Sequence, residues 1–279
     1  MVELSIDFSS EELVVLARHL AIAPPRTAGD LSLVSDDAAA VARRSLVARR
    51  IVSSAPAGDG EPIVATAQTP ESRAREAVRD LVYLICVPSL SVEISCRTEE
   101  ADDTWFILAQ PEAAVEQAVV CDGVFRFTPF RAEEIPGRLQ LRTQLSDRPM
   151  IGDGILSLPR SLLMRIRDLA DSGARDEALQ LCRGRDDESL MSQLVEALAA
   201  CKAFVVTTVM HFGAGSTVEG GVVSWADAGE LGLWRLPATG SLVGGGGDEL
   251  VDVFQTSKAQ LLADLASFFP SSSQEAARV

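Results

Sequence analysis

Lysine, asparagine and histidine are almost missing from this chain. Of 25 basic residues only Lys202 and Lys258 are lysine, no asparagine occurs, and the two histidines, His19 and His211, stand far apart. Metal centres built on several histidines are therefore excluded. Basic charge is short overall: 25 Lys and Arg face 40 Asp and Glu, a formal charge of -15. Such a chain repels phosphate polyanions and anionic bilayers, so nucleic acid and membrane surfaces are not its expected partners. The five cysteines show no CxxC or other metal-type spacing and read as free, mostly buried thiols. No apolar run approaches the roughly 18 residues that span a bilayer. The opening MVELSIDFSSEEL is acidic where a secretory signal would be basic, which places the expected location in the cytosol.

Catalytic and cofactor motifs are also wanting. There is no G-x-S-x-G nucleophile elbow and no S-x-x-K. GAGSTVEGG at 213–221 has no lysine for a phosphate loop, and Val218 occupies the place of the third glycine of G-x-G-x-x-G. Lying between two expected strands, it reads as a hairpin loop. The paired carboxylates Glu99-Glu100, Asp102-Asp103, Glu133-Glu134 and Asp186-Asp187-Glu188 fall in expected loops or at helix ends, where they read as solvated surface. Cys121 stands beside Asp122, whose carboxylate opposes thiolate formation. No catalytic residue, cofactor or metal is expected from these patterns. SLVARRIV at 45–52, with its four nearby arginines, resembles the helix-to-strand passage of winged-helix modules, but the acidic chain argues against a DNA partner.

What is present is apolar and patterned: 47% of residues are hydrophobic, ample for a large core. Ser9 to Leu20 reads as a helix with Ser9 as N-cap and Glu12 as its capping-box partner. A short strand is expected at 31–34, a helix at 36–50, a strand at 50–53, a loose stretch SSAPAGDGEP, and a helix at 71–87 stopped by Pro88. The period then changes to two. Leu90 to Arg97 and Trp105 to Ala109 form a hairpin around the acidic loop 98–103, and 114–121 with 124–128 form another around Asp122-Gly123. A helix at 131–145, weakened by Pro136, closes this half.

The same order follows again: a short strand, helices at 158–169, 176–182 and 188–202, strands at 203–212, 219–226, 232–236 and 250–255, and a helix at 257–268. VFRFTPFRAEEIPGRL lies over LVDVFQTSKAQLLADL, each a strand, a capped turn and a helix. The expectation is an α+β chain of two pseudo-repeated halves, 1–150 and 151–270, with a mobile tail at 271–279 and an ancient duplication behind the repeat. The abundance of antiparallel hairpins argues against a doubly wound α/β fold.

Several segments carry a resemblance to a known family: EELVVLARHLAI, AAAVARRSLVARRIV, LICVPSLSVEISC and VFRFTPFRAEEIPGRL in the first half, SWADAGELGLWRL and LVDVFQTSKAQLLADLASFF in the second. In these the chain resembles the EspG family, cytosolic substrate-specific chaperones of actinobacterial type VII (ESX) secretion, and the arginine-rich, asparagine-free composition suits a GC-rich actinobacterial genome. The resemblance implies a central antiparallel sheet flanked by helical bundles, no catalysis, and binding of a helical secreted protein or PE–PPE heterodimer through the sheet, an inter-strand loop and the C-terminal helical bundle. The chain departs from the pattern in shorter loops and a GGGG insertion, so another small helical secretion substrate also fits. Candidate contact residues are the steering acids Glu99, Glu100, Asp102 and Asp103 and the strand tryptophans Trp105, Trp225 and Trp234. Core packing is the competing reading for each tryptophan. A small-molecule or catalytic site between the halves is the alternative function.

Overall fold

The computed structural model describes residues 5–25, 34–52, 70–213, 218–237 and 249–269. The expected strand at 31–34, the stretch SSAPAGDGEP, the GGGG segment and the tail fall largely or wholly outside them. The chain is α+β. Its first run of elements is β1 (Ile6–Ser9), α1 (Ser10–His19), α2 (Asp36–Ala48), α3 (Pro70–Cys86), β2 (Leu90–Thr98), β3 (Asp102–Ala109), β4 (Ala113–Cys121), β5 (Val124–Arg131) and α4 (Ile135–Arg142). The second run is β6 (Ile155–Pro159), α5 (Arg160–Asp171), α6 (Arg175–Cys182), α7 (Glu188–Ala199), β7 (Ala203–Phe212), β8 (Val218–Asp227), β9 (Leu233–Leu236), β10 (Leu250–Thr256) and α8 (Lys258–Ala266). The order of elements is the same in both.

Local chemistry explains the boundaries. The Ser9 hydroxyl accepts from the Glu12 amide at 3.2 Å while the Glu12 carboxylate accepts from the Ser9 amide at 3.1 Å, the reciprocal cap the sequence foretells. Ser35 and Ser257 cap α2 and α8 in the simpler way. Gly123 takes φ +71° in the Asp122-Gly123 turn, the left-handed backbone that favours glycine. Pro136 sits in the first turn of α4, where its missing N–H costs no helical hydrogen bond, and a short 3-10 turn at Ala132–Glu134 leads into it.

Two expectations are corrected. No strand forms at 50–52: Arg50 adopts φ +60°, and the amides of Arg50 and Ile51 turn back to the carbonyls of Val47 and Leu46. The apolar pair Ile51-Val52 thus packs back onto the helix it follows instead of entering the sheet. The helix expected from Leu158 begins two residues later, because Leu158 pairs with Val251 and keeps the strand going through Pro159.

The strand order is β1-β5-β4-β3-β2-β7-β8-β9-β10-β6. Adding five to each strand number, counting on from β1 after β10, and reversing the list returns the same list. The registers repeat as well. Asp7 faces Arg126 as Ser157 faces Asp252, and Phe8 faces Phe125 as Leu158 faces Val251. Val115 lies between Leu108 and Pro129 as Trp234 lies between Ala226 and Gln255. Even isolated backbone bonds recur: Ser10 N–H donates to Gly123 O at 2.9 Å, and Arg160 N–H to Glu249 O at 2.9 Å.

By packing, the chain divides into two compact units, residues 1–92, 105–135 and 211–218 in one and 93–104, 136–210 and 219–279 in the other. The first unit's core joins Leu13, Leu16, Leu46, Leu81 and Ile85 of α1–α3 to Phe8, Phe125 and Phe127 of the strands. Leu163, Ile166, Met191, Leu194 and Val195 of α5–α7 meet Leu156, Trp234 and Val253 in the core of the second. At roughly 1.5–3 kcal/mol for each fully buried large apolar side chain, these two clusters dominate the stability of their units.

Candidate partner-binding surface

The acidic loop of the sequence is the tip of the β2–β3 hairpin. Thr98 builds the turn: its hydroxyl accepts from the amides of Glu100 at 3.3 Å and Ala101 at 3.1 Å, and its own amide donates to Ala101 O at 2.8 Å. With these donors satisfied locally, the turn is held without any partner for its acids. Glu99, Glu100, Asp102 and Asp103 are all exposed, the last two already inside β3. Asp102 and Asp103 lie near enough to Cys96 to add to the rise in its thiol pKa, of which burial is the main cause.

Beside the tip, Arg97 Nη2 donates to Asp171 Oδ2 at 3.0 Å, joining β2 to the last residue of α5. Arg167, one turn earlier on α5, lies with its guanidinium 4.2 Å from the centroid of Phe204 on β7. The acidic tip is thereby fastened to the helical part of its own unit. This linkage brings Glu99, Glu100, Asp102 and Asp103 to a defined place next to α5.

The tryptophans separate. Trp105 on β3 is half-buried and pairs in register with Ala118. Trp225 and Trp234 are 1% and 0% exposed, and the Trp234 indole N–H donates to Leu231 O at 3.0 Å. Trp225 faces Arg235 across the ladder, while Trp234 is the next residue along β9, so the two rings point to opposite faces. Both faces are covered at that point of the sheet. Trp225 and Trp234 are core residues here and present no ring to a partner, which corrects the expectation that they are contact anchors.

The exposed apolar side chains lie elsewhere. The stretch after α4 displays Met150 at 55% and Ile151 at 53% exposure, and β6 adds Ile155 at 63%. This stretch is clamped on two sides. Arg148 makes a two-pronged pair with Asp227 at 2.8 and 2.9 Å. The buried Gln255 accepts from the amides of Ile151 at 2.7 Å and Gly152 at 2.8 Å and donates to Leu231 O at 3.3 Å. Fixed backbone carrying uncovered apolar side chains is a pre-organised contact surface. Its sequence signal is faint: a glutamine in the inward phase of an apolar strand, LVDVFQT, marks a buried amide that must hold something. A second exposed group, Val119 and Val120 with Cys121, stands at the bulged end of β4.

The remaining sequence candidates do not assemble into a reactive centre. Glu133 and Glu134 engage the side chain and amide of Arg131 at the 3-10 turn, and Glu188 accepts from Gly184 N–H at 2.9 Å. His19 ends α1 and His211 lies on β7. Among the described residues no three His, Cys, Asp or Glu side chains group as metal ligands, and no helix is long and apolar enough to cross a membrane.

The fold has a counterpart among solved structures. The chain is similar to the Mycobacterium tuberculosis type VII secretion system chaperone EspG5, solved in complex with a PE25–PPE41 dimer, with a TM-score of 0.55 and 12% identity over 95% of both chains. At that identity the likeness is one of fold. No protein-family model matches the sequence, and no curated protein matches it either.

Proposed function

We propose that this protein is a cytosolic, non-enzymatic chaperone or adaptor of type VII secretion that captures a helical secreted protein, of the PE–PPE kind, and keeps it soluble and fit for export. The observation that carries the reading is the likeness of fold to a chaperone of that system along nearly the whole of both chains. The surface described above supports it. Acids at the β2–β3 tip, Glu99, Glu100, Asp102 and Asp103, steer a partner with basic residues. The clamped Met150, Ile151 and Ile155 supply apolar area for the face of an amphipathic helix, and half-buried Trp105 is a separate candidate contact in the other unit. The matching registers support descent of the two halves, 1–150 and 151–270, from one duplicated segment.

The test is co-expression with small helical proteins encoded beside it in its host, followed by affinity capture and sizing by light scattering. A complex of fixed stoichiometry is the expected result. Capture of the chain alone with every such candidate overturns the reading.

A further inference from the structure

Between the later turns of α8 and one face of β8–β10 lies a groove, open to solvent, of about 380 Å³, a volume within the range of small-ligand sites. Val223, Arg235 and Phe254 form its floor, Asp252 its rim, and Asp264 and Phe268 its helical wall. A missing side chain makes room for the wall: any Cβ at Gly221 would overlap the Phe268 ring, which lies against β8 at that residue.

Arg235 is poorly satisfied for a side chain only 20% exposed. Its Nε stands 3.9 Å from Asp264 Oδ2, and its Nη1 reaches Ser224 O only at 3.5 Å. Asp252 sits two residues before Phe254, the register partner of Arg235, and already accepts the Ser157 hydroxyl at 2.6 Å. The lining therefore holds one guanidinium, two carboxylates and two aromatic rings. A simple anion gains from Arg235 and is repelled by both aspartates, and a simple cation meets the reverse. A molecule carrying both charges close together on an apolar body satisfies all of these groups at once.

We infer that this groove binds a free amino acid with an apolar side chain, its carboxylate on Arg235, its ammonium toward Asp252 and Asp264, and its side chain against Phe254 and Phe268. The site belongs to one unit and does not depend on the chaperone reading.

Titration of the full-length chain with L-phenylalanine, 2-phenylethylamine and 3-phenylpropionate, followed by amide NMR shifts and calorimetry, tests it. The expected result is saturable binding of L-phenylalanine with shifts confined to residues around 235, 252–254 and 264–268, and affinities at least about tenfold weaker for each singly charged analogue. Arg235→Gln removes the advantage of phenylalanine over phenylethylamine, and Asp264→Asn narrows its advantage over phenylpropionate. No saturable shift up to about 20 mM, or equal binding of phenylpropionate or phenylethylamine by the unaltered chain, overturns the inference whether or not the variants fold.

Discussion

The carboxylate of Glu12 holds the guanidinium of Arg49 at 2.9 Å, and with that bond it fastens α1 to the end of α2. The same carboxylate takes the Ser45 hydroxyl at 2.7 Å and the Ser9 amide at 3.1 Å, and the residue is 5% exposed. One acid thus serves as a helix cap and as an inter-helix tie. Glu12→Ala leaves three donors without their acceptor and is expected to cost about 2–4 kcal/mol, with Arg49, which is partly solvated, bearing the smaller share. Urea unfolding followed by circular dichroism, with an unchanged slope and a lowered midpoint, checks it.

Acid should weaken the edge of the sheet at Asp7. The Arg126 guanidinium, bonded to it at 2.9 Å through both oxygens, holds the Asp7 carboxyl below its usual range. A carboxyl depressed on folding contributes stability that is present above its unfolded pKa of roughly 4 and is lost as pH falls through the lower folded value. Asp7→Asn is therefore expected to flatten the fall in melting temperature below about pH 4 and to lower stability at pH 7. Thermal scans of both proteins across pH 2–7 measure the difference.

Thiol reactivity should separate one cysteine from four. Burial pushes the thiols of Cys86 and Cys201 up to about 12 and about 11, and it also raises those of Cys96 and Cys182. Cys121 alone is exposed. An aromatic disulfide reagent at neutral pH should titrate one thiol quickly in the native protein and all five in denaturant, and Cys121→Ser should abolish the fast phase.

Two glycines of β8 differ in what they tolerate. A Cβ at Gly220 would overlap the carbonyl oxygen of Val209, which belongs to the backbone of β7 and cannot step aside. Gly220→Ala should cost about 1–3 kcal/mol through displaced strands, and Gly221→Ala less, because the Phe268 ring can swing away. Chemical denaturation of the pair ranks them.

On the proposed contact surface, Met150→Asp with Ile151→Asp should lower partner affinity by about tenfold or more while changing stability by less than about 1 kcal/mol. Neutralising Glu99, Glu100, Asp102 and Asp103 should act mainly on the association rate and reduce its salt dependence. Surface plasmon resonance with the captured partner at two ionic strengths distinguishes the effects.

Features written in neighbouring residues were legible in the sequence: the Ser9 to Glu12 cap, the Asp122-Gly123 turn, the alternation of β2 and the acidic tip. Those that join distant residues were not. Arg97 and Asp171 are 74 positions apart, and no local pattern announces their bond. Trp225 and Trp234 have the spacing of strand residues whether one face of a sheet is covered or two, so their burial became visible only with packing. The apolar pair at 51–52 looked like strand because hydrophobicity alone does not record that Arg50 turns the backbone.

In each half of the chain the first strand pairs with the last: Ile6 with Phe127, and Leu156 with Val253. On the ribosome, then, β1 emerges long before β5 exists to receive it. His211 and Phe212, the end of β7 and part of the first compact unit, are made later still, after α5 to α7 of the second. Synthesis therefore ends neither unit before the other has begun, yet a chain stalled near residue 150 already carries every described residue of the first unit's core cluster, Phe8 to Phe127.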